Sequence, residues 1–224
     1  MDSWSESKKN LATMLFNSGC IKFGNFTLKS GVESPIYIDL RLIIAFPLLL
    51  RSIANEYIHE LENLEFNQIV PLPYAGLPIG TAISLETNTP MLYPRKEVKD
   101  YGTKAAIEGI YSKGEKLVII DDLITSGNSV YEALEKLSNE EFEIRDVVVL
   151  IDRESGGYER LANDGYILHS IFKINDLLHY WKKLKLITVD TYLVVTQFLR
   201  YERVNSPFGF KAITNDLLNS PSDG

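Results

Sequence analysis

Three short apolar runs constrain the fold more than any other feature of the chain. They read QIVPLP (68–73), LVIID (117–121) and DVVVLID (146–152). None of them alternates apolar with polar residues, and helical patterns separate them. Such runs are typical of parallel strands whose two faces are both covered by helices, because every side chain then meets an apolar neighbour. The sequence therefore predicts an α/β fold with a parallel sheet flanked by helices.

Composition narrows the class of protein. The 224 residues fit one large domain, or one domain with small appendages, and 45% hydrophobic residues allow a sizeable core. The net charge of −7 argues against nucleic acid as a partner. No apolar run reaches the roughly 18 residues of a membrane span, and the polar start MDSWSESKKN lacks a signal-peptide core. We expect no membrane partner and a cytoplasmic location, which the single cysteine also suits.

Helical spacing and turn residues predict the remaining elements. The stretch FGNFTLKSGVESPIYIDLR (23–41) reads as extended segments broken by a Ser-Gly turn, and PMLYPRK (90–96) and YILHSIF (166–172) as further strands. Helices are predicted around 11–18, 47–64, 76–87, 130–137, 175–183 and 188–204. In the last of these, Val189, Leu193, Val194 and Phe198 are expected to pack on the body or on a partner.

Polar loops follow Val70, Tyr93, Ile120 and Ile151, at the carboxyl ends of predicted strands. Ligands of open parallel sheets bind at that edge, so four loops there predict a single site.

The most informative loop follows the strand LVII (117–120). Asp121 and Asp122 come first, and Thr125, Ser126, Gly127, Asn128 and Ser129 lead into a helix. Free backbone N–H groups and the helix dipole favour an anion there, and hydroxyl groups add donors. Taken alone, such a stretch is also typical of a helix cap beside a solvated acidic turn.

The whole string resembles the phosphoribosyl-pyrophosphate (PRPP) motif of type I phosphoribosyltransferases. The resemblance implies the type I phosphoribosyltransferase fold with a small N-terminal hood. It implies that the loop from Thr125 to Ser129 binds the ribose 5-phosphate. It also implies that Asp121 and Asp122 lie against the ribose hydroxyls and act in catalysis, where they would offset positive charge at the anomeric carbon.

A basic loop, YPRKEVKDYGTKAAIEG (93–109), sharpens the resemblance. Taken alone, it is also typical of a mobile surface loop. Its pattern is similar to the Arg-Lys-x-x-Lys-Asp-x-Gly loop of orotate phosphoribosyltransferases, in the form found in eukaryotic uridine monophosphate synthases. The resemblance implies that Arg95 and Lys96 bind pyrophosphate, and that Lys99 assists catalysis in the partner subunit's site. Tyr101 and Tyr74 are expected beside the pyrophosphate; Tyr101 stands where many members have histidine.

Two further strings match motifs of that family, namely FTLKSGVESP (26–35) and LIDRESGG (150–157). The resemblance implies that orotate contacts Lys29, Tyr37, Ile38, Thr125 and Arg153. A guanidinium suits the orotate carboxylate because it binds carboxylates bidentately. Ala75 departs from the lysine that bacterial members often carry, so any PRPP contact made by that lysine is absent or is supplied elsewhere.

The resemblance implies transfer of the phosphoribosyl group from PRPP to orotate in pyrimidine biosynthesis. It also implies a homodimer, and Mg²⁺ that arrives with PRPP rather than on protein ligands. Residues 1–183 are expected to form the phosphoribosyltransferase domain, and residues 184–224 a C-terminal helical extension and tail. A phosphoribosyltransferase for another base and a non-catalytic PRPP sensor remain as alternatives. The sequence also leaves open whether the chain is monofunctional or a piece of a bifunctional enzyme.

Overall fold

The computed structural model describes residues 4–28, 31–96, 106–138 and 140–205. Eight strands are defined there: β1 (Ile21–Thr27), β2 (Glu33–Ile38), β3 (Gln68–Pro71), β4 (Tyr93–Pro94), β5 (Ile107–Glu108), β6 (Lys116–Ile124), β7 (Glu143–Asp152) and β8 (Ile167–Lys173). Seven α-helices accompany them: α1 (Glu6–Asn17), α2 (Pro47–Leu61), α3 (Gly76–Thr87), α4 (Asn128–Leu137), α5 (Gly157–Asn163), α6 (Ile174–Lys183) and α7 (Val189–Asn205). A 3-10 helix spans Leu40–Ala45.

The centre of the fold is a four-stranded parallel sheet in the order β3-β6-β7-β8. Its strand residues alternate between two separate apolar clusters, one on each face. Val118 and Ile120 pack into the cluster that contains buried residues of α1, α2, α6 and α7. Leu117 and Ile119 pack into the cluster that contains buried residues of α4 and α5. The predicted parallel sheet with both faces covered is confirmed.

A small hairpin forms the N-terminal hood. Strands β1 and β2 pair antiparallel, as the two extended segments predicted. Trp181 of α6 is fully buried, and its indole N–H donates to the Ala12 carbonyl at 2.9 Å. The rings of Phe16 and Phe23 lie 5.5 and 6.1 Å from the Trp181 ring. Aromatic packing of this kind holds the hood and α1 against the body.

The predicted strand around PMLYPRK is much shorter than expected. Met91 makes only an isolated bridge to Ile69, and β4 pairs antiparallel with β5 rather than joining the central sheet. The backbone N–H of Arg95 continues that small pairing by donating to the Ala106 carbonyl at 2.8 Å. The short β4–β5 pair thus connects the two ends of the basic loop.

Among the helices in the described ranges, none has the length and apolar character that crossing a bilayer would require.

Candidate active site

The two aspartates lie inside β6 rather than beyond it, which corrects the sequence expectation. Strand β6 continues to Ile124 because its pairing with β7 persists from Asp121 opposite Val149 to Ile124 opposite Asp152. Asp121 is buried, with 5% of its surface exposed. The acid pair is therefore held by the sheet itself, at its carboxyl edge.

The loop after β6 leads directly into α4, as the sequence predicts. Gly127 caps α4 with a φ of 81°, which is left-handed backbone that glycine adopts readily. Asp121 and Leu123 to Val130 line a cavity of about 100 Å³ in front of the first turn of α4. The structure thus brings together one predicted carboxylate and all five predicted loop residues.

A side chain that the sequence analysis missed supports this loop. One Nη atom of Arg160 donates to the Ser126 carbonyl at 3.0 Å and to Asn128 Oδ1 at 2.7 Å. The same guanidinium lies 3.8 Å from the ring centroid of Tyr131. Arg160 lies one turn into α5, and only its position after the Gly-Gly pair could have indicated this role.

The Gly-Gly pair brings α5 against the loop. A Cβ atom at Gly157 would lie 2.6 Å from the Thr125 carbonyl oxygen and 2.7 Å from Ile124 Cγ1. Atoms at those distances overlap, so only glycine permits this approach. The second glycine of LIDRESGG therefore allows α5 to pack closely against the loop from Thr125 to Ser129, which is called the phosphate loop below after its expected role.

Ionisation of the two neighbouring aspartates is unfavourable in this site. Burial and the adjacent Asp122 charge raise the pKa of Asp121 well above its ordinary value, and Lys96 partly counteracts this. Burial likewise raises the pKa of Asp122, and Arg41 is among the groups that oppose the rise. The Tyr57 hydroxyl donates to the Asp121 carbonyl at 2.5 Å and fixes the backbone there. Positive charge placed opposite these carboxylates would be stabilised.

The basic residues lie beside the phosphate loop. Arg95, Lys96 and Ser129 line a cleft of about 30 Å³, and Ser129 also lines the loop cavity. Arg95 forms a salt bridge with Glu108, and Lys96 Nζ lies 4.9 Å from the Tyr74 ring centroid. Tyr74 is exposed. Lys99 and Tyr101 lie outside the described residues.

Lys136 of α4 is a second residue that the sequence analysis missed. Its Nζ donates to the carbonyls of Arg95 and Lys96 at 2.7 and 3.2 Å. The amino group therefore holds the backbone of the basic segment against the helix that follows the phosphate loop.

Two of the predicted base-binding residues belong to the hood. Tyr37 and Ile38 end β2, and the Tyr37 ring lies 5.6 Å from that of Phe26. Tyr37 also contributes to raising the pKa of Arg41, although the bonded Asp39 carboxylate is the main cause. Lys29 lies outside the described residues.

Arg153 follows the end of β7, and its backbone N–H donates to the Ile124 carbonyl at 2.9 Å. Its guanidinium is largely buried and pairs through Nη2 with Glu202 Oε2 at 2.8 Å. Its Nε atom is buried and has no hydrogen-bond partner among residues 4–28, 31–96, 106–138 and 140–205. Arg153 thus lies next to the start of the phosphate loop, and its Nε–H group is available to a ligand.

A larger cavity of about 780 Å³ lies at the opposite edge of the sheet. Its lining includes Lys116, Glu143 and Ile167, the first residues of β6, β7 and β8. None of the predicted site residues lines it. The predicted residues Asp121, Asp122 and Arg153 lie instead near the carboxyl ends of β6 and β7, which is the edge where parallel sheets bind ligands.

Comparisons with known proteins identify the family of the chain. A model of the phosphoribosyl transferase domain matches residues 45–179. Uridine 5'-monophosphate synthase of Bos taurus is 42% identical over 193 residues, covering 85% of this chain and 40% of that protein. Orotate phosphoribosyltransferase of Pyrococcus horikoshii is 39% identical over 173 residues, covering 76% of this chain and 92% of that protein. The solved UMP synthase of Leishmania donovani matches with a TM-score of 0.80 at 45% identity, covering 87% of this chain and 42% of that one.

The domain match spans more than half of the residues, so the chain belongs to the phosphoribosyltransferase family. The nearly full-length match to the Pyrococcus protein assigns it, within that family, to the orotate phosphoribosyltransferases. The chain spans about two fifths of the length of the bovine synthase.

Proposed function

We propose that this chain transfers the 5-phosphoribosyl group of PRPP to orotate, giving orotidine 5-monophosphate and pyrophosphate. The observation that carries the proposal is that two neighbouring acids, the buried Asp121 and the half-buried Asp122, directly precede a loop that lines a cavity at the start of α4. The loop suits the anionic phosphate group of a sugar phosphate. The two carboxylates suit positive charge that develops on the same sugar. The names of the relatives point to the same substrate and the same place in pyrimidine biosynthesis.

In the proposed reaction, a ring N–H of orotate loses its proton to water, and the nitrogen gives the electron pair of that bond to the anomeric carbon. The bond from that carbon to the pyrophosphate oxygen breaks, and its electron pair leaves with pyrophosphate. Thr125 to Ser129 would bind the 5-phosphate through backbone N–H groups and hydroxyls. Asp121 and Asp122 would accept bonds from the ribose hydroxyls and stabilise the positive charge at the reacting carbon.

The pyrophosphate end would be held by cations. Lys96, lying over Tyr74, is close enough to act electrostatically on Asp121. Arg95 would contribute donors beyond those that bind Glu108. By resemblance, Lys99 and Tyr101 would complete this side.

The base would be bound between the hood and the loop after β7. Tyr37 and Ile38 offer an aromatic and an apolar face, which suit a planar pyrimidine. Arg153 would bind the orotate carboxylate, with Lys29 and Thr125 contacting the ring. Uracil lacks that carboxylate, so Arg153 would separate the two bases.

Mg²⁺ fits the same site as a companion of PRPP. Its ligands would be the phosphate oxygens of PRPP, which are the hard oxygen donors that Mg²⁺ prefers. In the described part of the chain, no cluster of three or more His, Cys, Asp or Glu side chains could hold a metal. The ion would offset charge on the leaving pyrophosphate.

A homodimer would bring the Lys99 loop to the partner's site. An exposed apolar surface supports such pairing: Ile44, Leu48 and Leu85 are 64%, 74% and 77% exposed. Two grooves that share Pro47 make this surface continuous. Mixing inactive Lys99→Ala with inactive Asp122→Asn should restore some activity through heterodimers. No recovery, with exchange of subunits verified, would count against shared sites.

The proposed assignment also keeps residues 1–183 as the phosphoribosyltransferase domain, with residues 184–224 as its helical extension and tail. A cytoplasmic location goes with substrates that are soluble metabolites, and remains a prediction.

The direct test follows the loss of orotate absorbance in the presence of PRPP and Mg²⁺, with uracil, hypoxanthine and adenine as parallel substrates. We expect turnover of orotate alone. Arg153→Gln should raise the KM for orotate and leave the KM for PRPP nearly unchanged, since its side chain faces the base. Turnover of another base, or PRPP binding without any turnover, would refute the assignment.

A further inference from the structure

Helix α7 carries a carboxylate on its buried face. Val195 and Leu199 are buried, at 1% and 3% exposure, and Glu202 follows at helical spacing on the same face. The Glu202 side chain is 23% exposed, and burial raises its pKa. An ionisable group in such a stripe usually has a specific partner, because burying a lone charge is costly.

The partner of Glu202 is Arg153, the side chain proposed above to bind the base. Glu202 Oε2 lies 2.8 Å from Nη2 of Arg153. Burial also lowers the pKa of Arg153, while the Glu202 charge opposes the fall. The guanidinium is therefore fixed by one nitrogen, while its buried Nε has no partner in the described part of the chain. An unsatisfied buried donor is destabilising unless a ligand supplies an acceptor.

We propose that Glu202 is a positioning residue for the base, holding Arg153 through Nη2 so that Nε is presented to an acceptor on the pyrimidine. This inference rests on the proposed function of the site. It makes α7 part of the base site although the helix lies beyond residues 45–179, which match the family model.

The last turn of α7 does not depend on Glu202 alone. Arg203 Nη2 forms a second ion pair with Glu159 Oε1 of α5 at 2.7 Å. Val195 and Leu199 also bury apolar surface in the main core. Arg203→Gln is therefore a matched control, because it removes a neighbouring ion pair of the same helix without touching Arg153.

The test compares the KM for orotate and the KM for PRPP in four variants. Glu202→Ala should raise the KM for orotate by about tenfold, which corresponds to about 1.4 kcal/mol. Its KM for PRPP should stay within about twofold of wild type on the same reasoning. Glu202→Asp should behave like the alanine variant because its carboxylate is set back by one methylene. Glu202→Gln should recover most of the affinity, since its carbonyl oxygen can still accept from Nη2.

Arg203→Gln should leave both KM values unchanged. Several results would overturn the positioning role: a lower KM for orotate in Glu202→Ala, an equal rise in both KM values, or the same change in Arg203→Gln. Unaltered kinetics in both Glu202→Ala and Glu202→Asp would also overturn it, while leaving the proposed function intact. A wild-type protein that does not turn over orotate would refute the proposed function itself, and the positioning role with it.

Discussion

Arg160 supports the phosphate loop from outside the cavity, which makes it a precise probe of how that loop works. Arg160→Met keeps the length of the side chain but removes its charge and its donors. Two hydrogen bonds disappear, to the Ser126 carbonyl and to Asn128 Oδ1, together with the cation–π contact to Tyr131. The loop would then lose its side-chain hydrogen bonds to α5, while its packing against Gly157 of that helix would remain.

The size of the effect follows from these contacts. Hydrogen bonds from a charged donor contribute about 1.5–3 kcal/mol each, and a partly exposed cation–π contact about 0.5–1 kcal/mol. Arg160 is only half-buried, so the lower limits apply and the total is roughly 3.5 kcal/mol. A bound phosphate also orders the loop, so we assign about half of this total to ligand affinity, which is roughly a twentyfold loss.

Isothermal titration calorimetry with PRPP and with ribose 5-phosphate measures this directly. Both ligands should lose affinity by a similar factor, because both place a phosphate in the same loop. Arg200→Met is the control, since Arg200 is an exposed arginine of α7. Unchanged affinity for ribose 5-phosphate in Arg160→Met would refute the view that this arginine preorganises the loop.

Three other substitutions test the surroundings of the site. Gly157→Ala should destabilise the fold by about 1–3 kcal/mol and weaken PRPP binding, because its Cβ would overlap the Thr125 carbonyl. Urea unfolding would measure the first effect and calorimetry the second. Wild-type values for both would contradict the packing argument. Tyr57→Phe should cost about 1–2 kcal/mol in urea unfolding, since it leaves the buried Asp121 carbonyl without that donor; an unchanged midpoint would contradict this. Burial raises the pKa of Asp152 to about 6, so its contribution to stability is present below about pH 4 and is lost as pH rises through 6. Asp152→Asn should therefore raise the thermal midpoint at pH 7.5 but have little effect at pH 4.5, and equal shifts at both pH values would refute this origin.

The chain predicts the fold well where the signals are local. Pro47 begins α2, and the run at 117–120 followed by Thr125 to Ser129 gives the strand, loop and helix that the structure contains. Non-alternating apolar residues correctly indicated that both faces of the sheet are covered. These features depend on residues within a few positions of one another, which is why the sequence reports them.

Features that depend on distant contacts were missed. Helix α5 has seven residues, too few for a periodic signal, and Arg160 reaches residues more than thirty positions away. The length of β6 depends on its pairing with β7, which continues to Ile124. Two adjacent acids in the sequence suggest instead that the strand has already ended.

Helix α7 was predicted, but three of the four residues expected to pack on the body or on a partner do not pack on the body. Val189, Leu193 and Val194 are exposed at 61%, 54% and 55%, whereas Val195 and Leu199 are buried. Apolar residues occur around most of this helix, so spacing alone could not select the buried stripe. Contacts with the neighbouring core determine which face of α7 is buried. The same orientation of the helix places Glu202 beside Arg153.

The distribution of charge around the site explains why its two halves use different chemistry. The loop from Thr125 to Ser129 contains no charged side chain, although it is assigned a phosphate. Full positive charges there would also attract Asp121 and Asp122, and would compete with the positive charge that those carboxylates are proposed to stabilise. Neutral N–H and hydroxyl donors hold an anion without cancelling the acid pair. The cations proposed to bind the pyrophosphate lie instead in the cleft lined by Arg95 and Lys96, where the leaving group would gather negative charge as the reaction proceeds. Raising the salt concentration should therefore weaken pyrophosphate binding more than binding of ribose 5-phosphate.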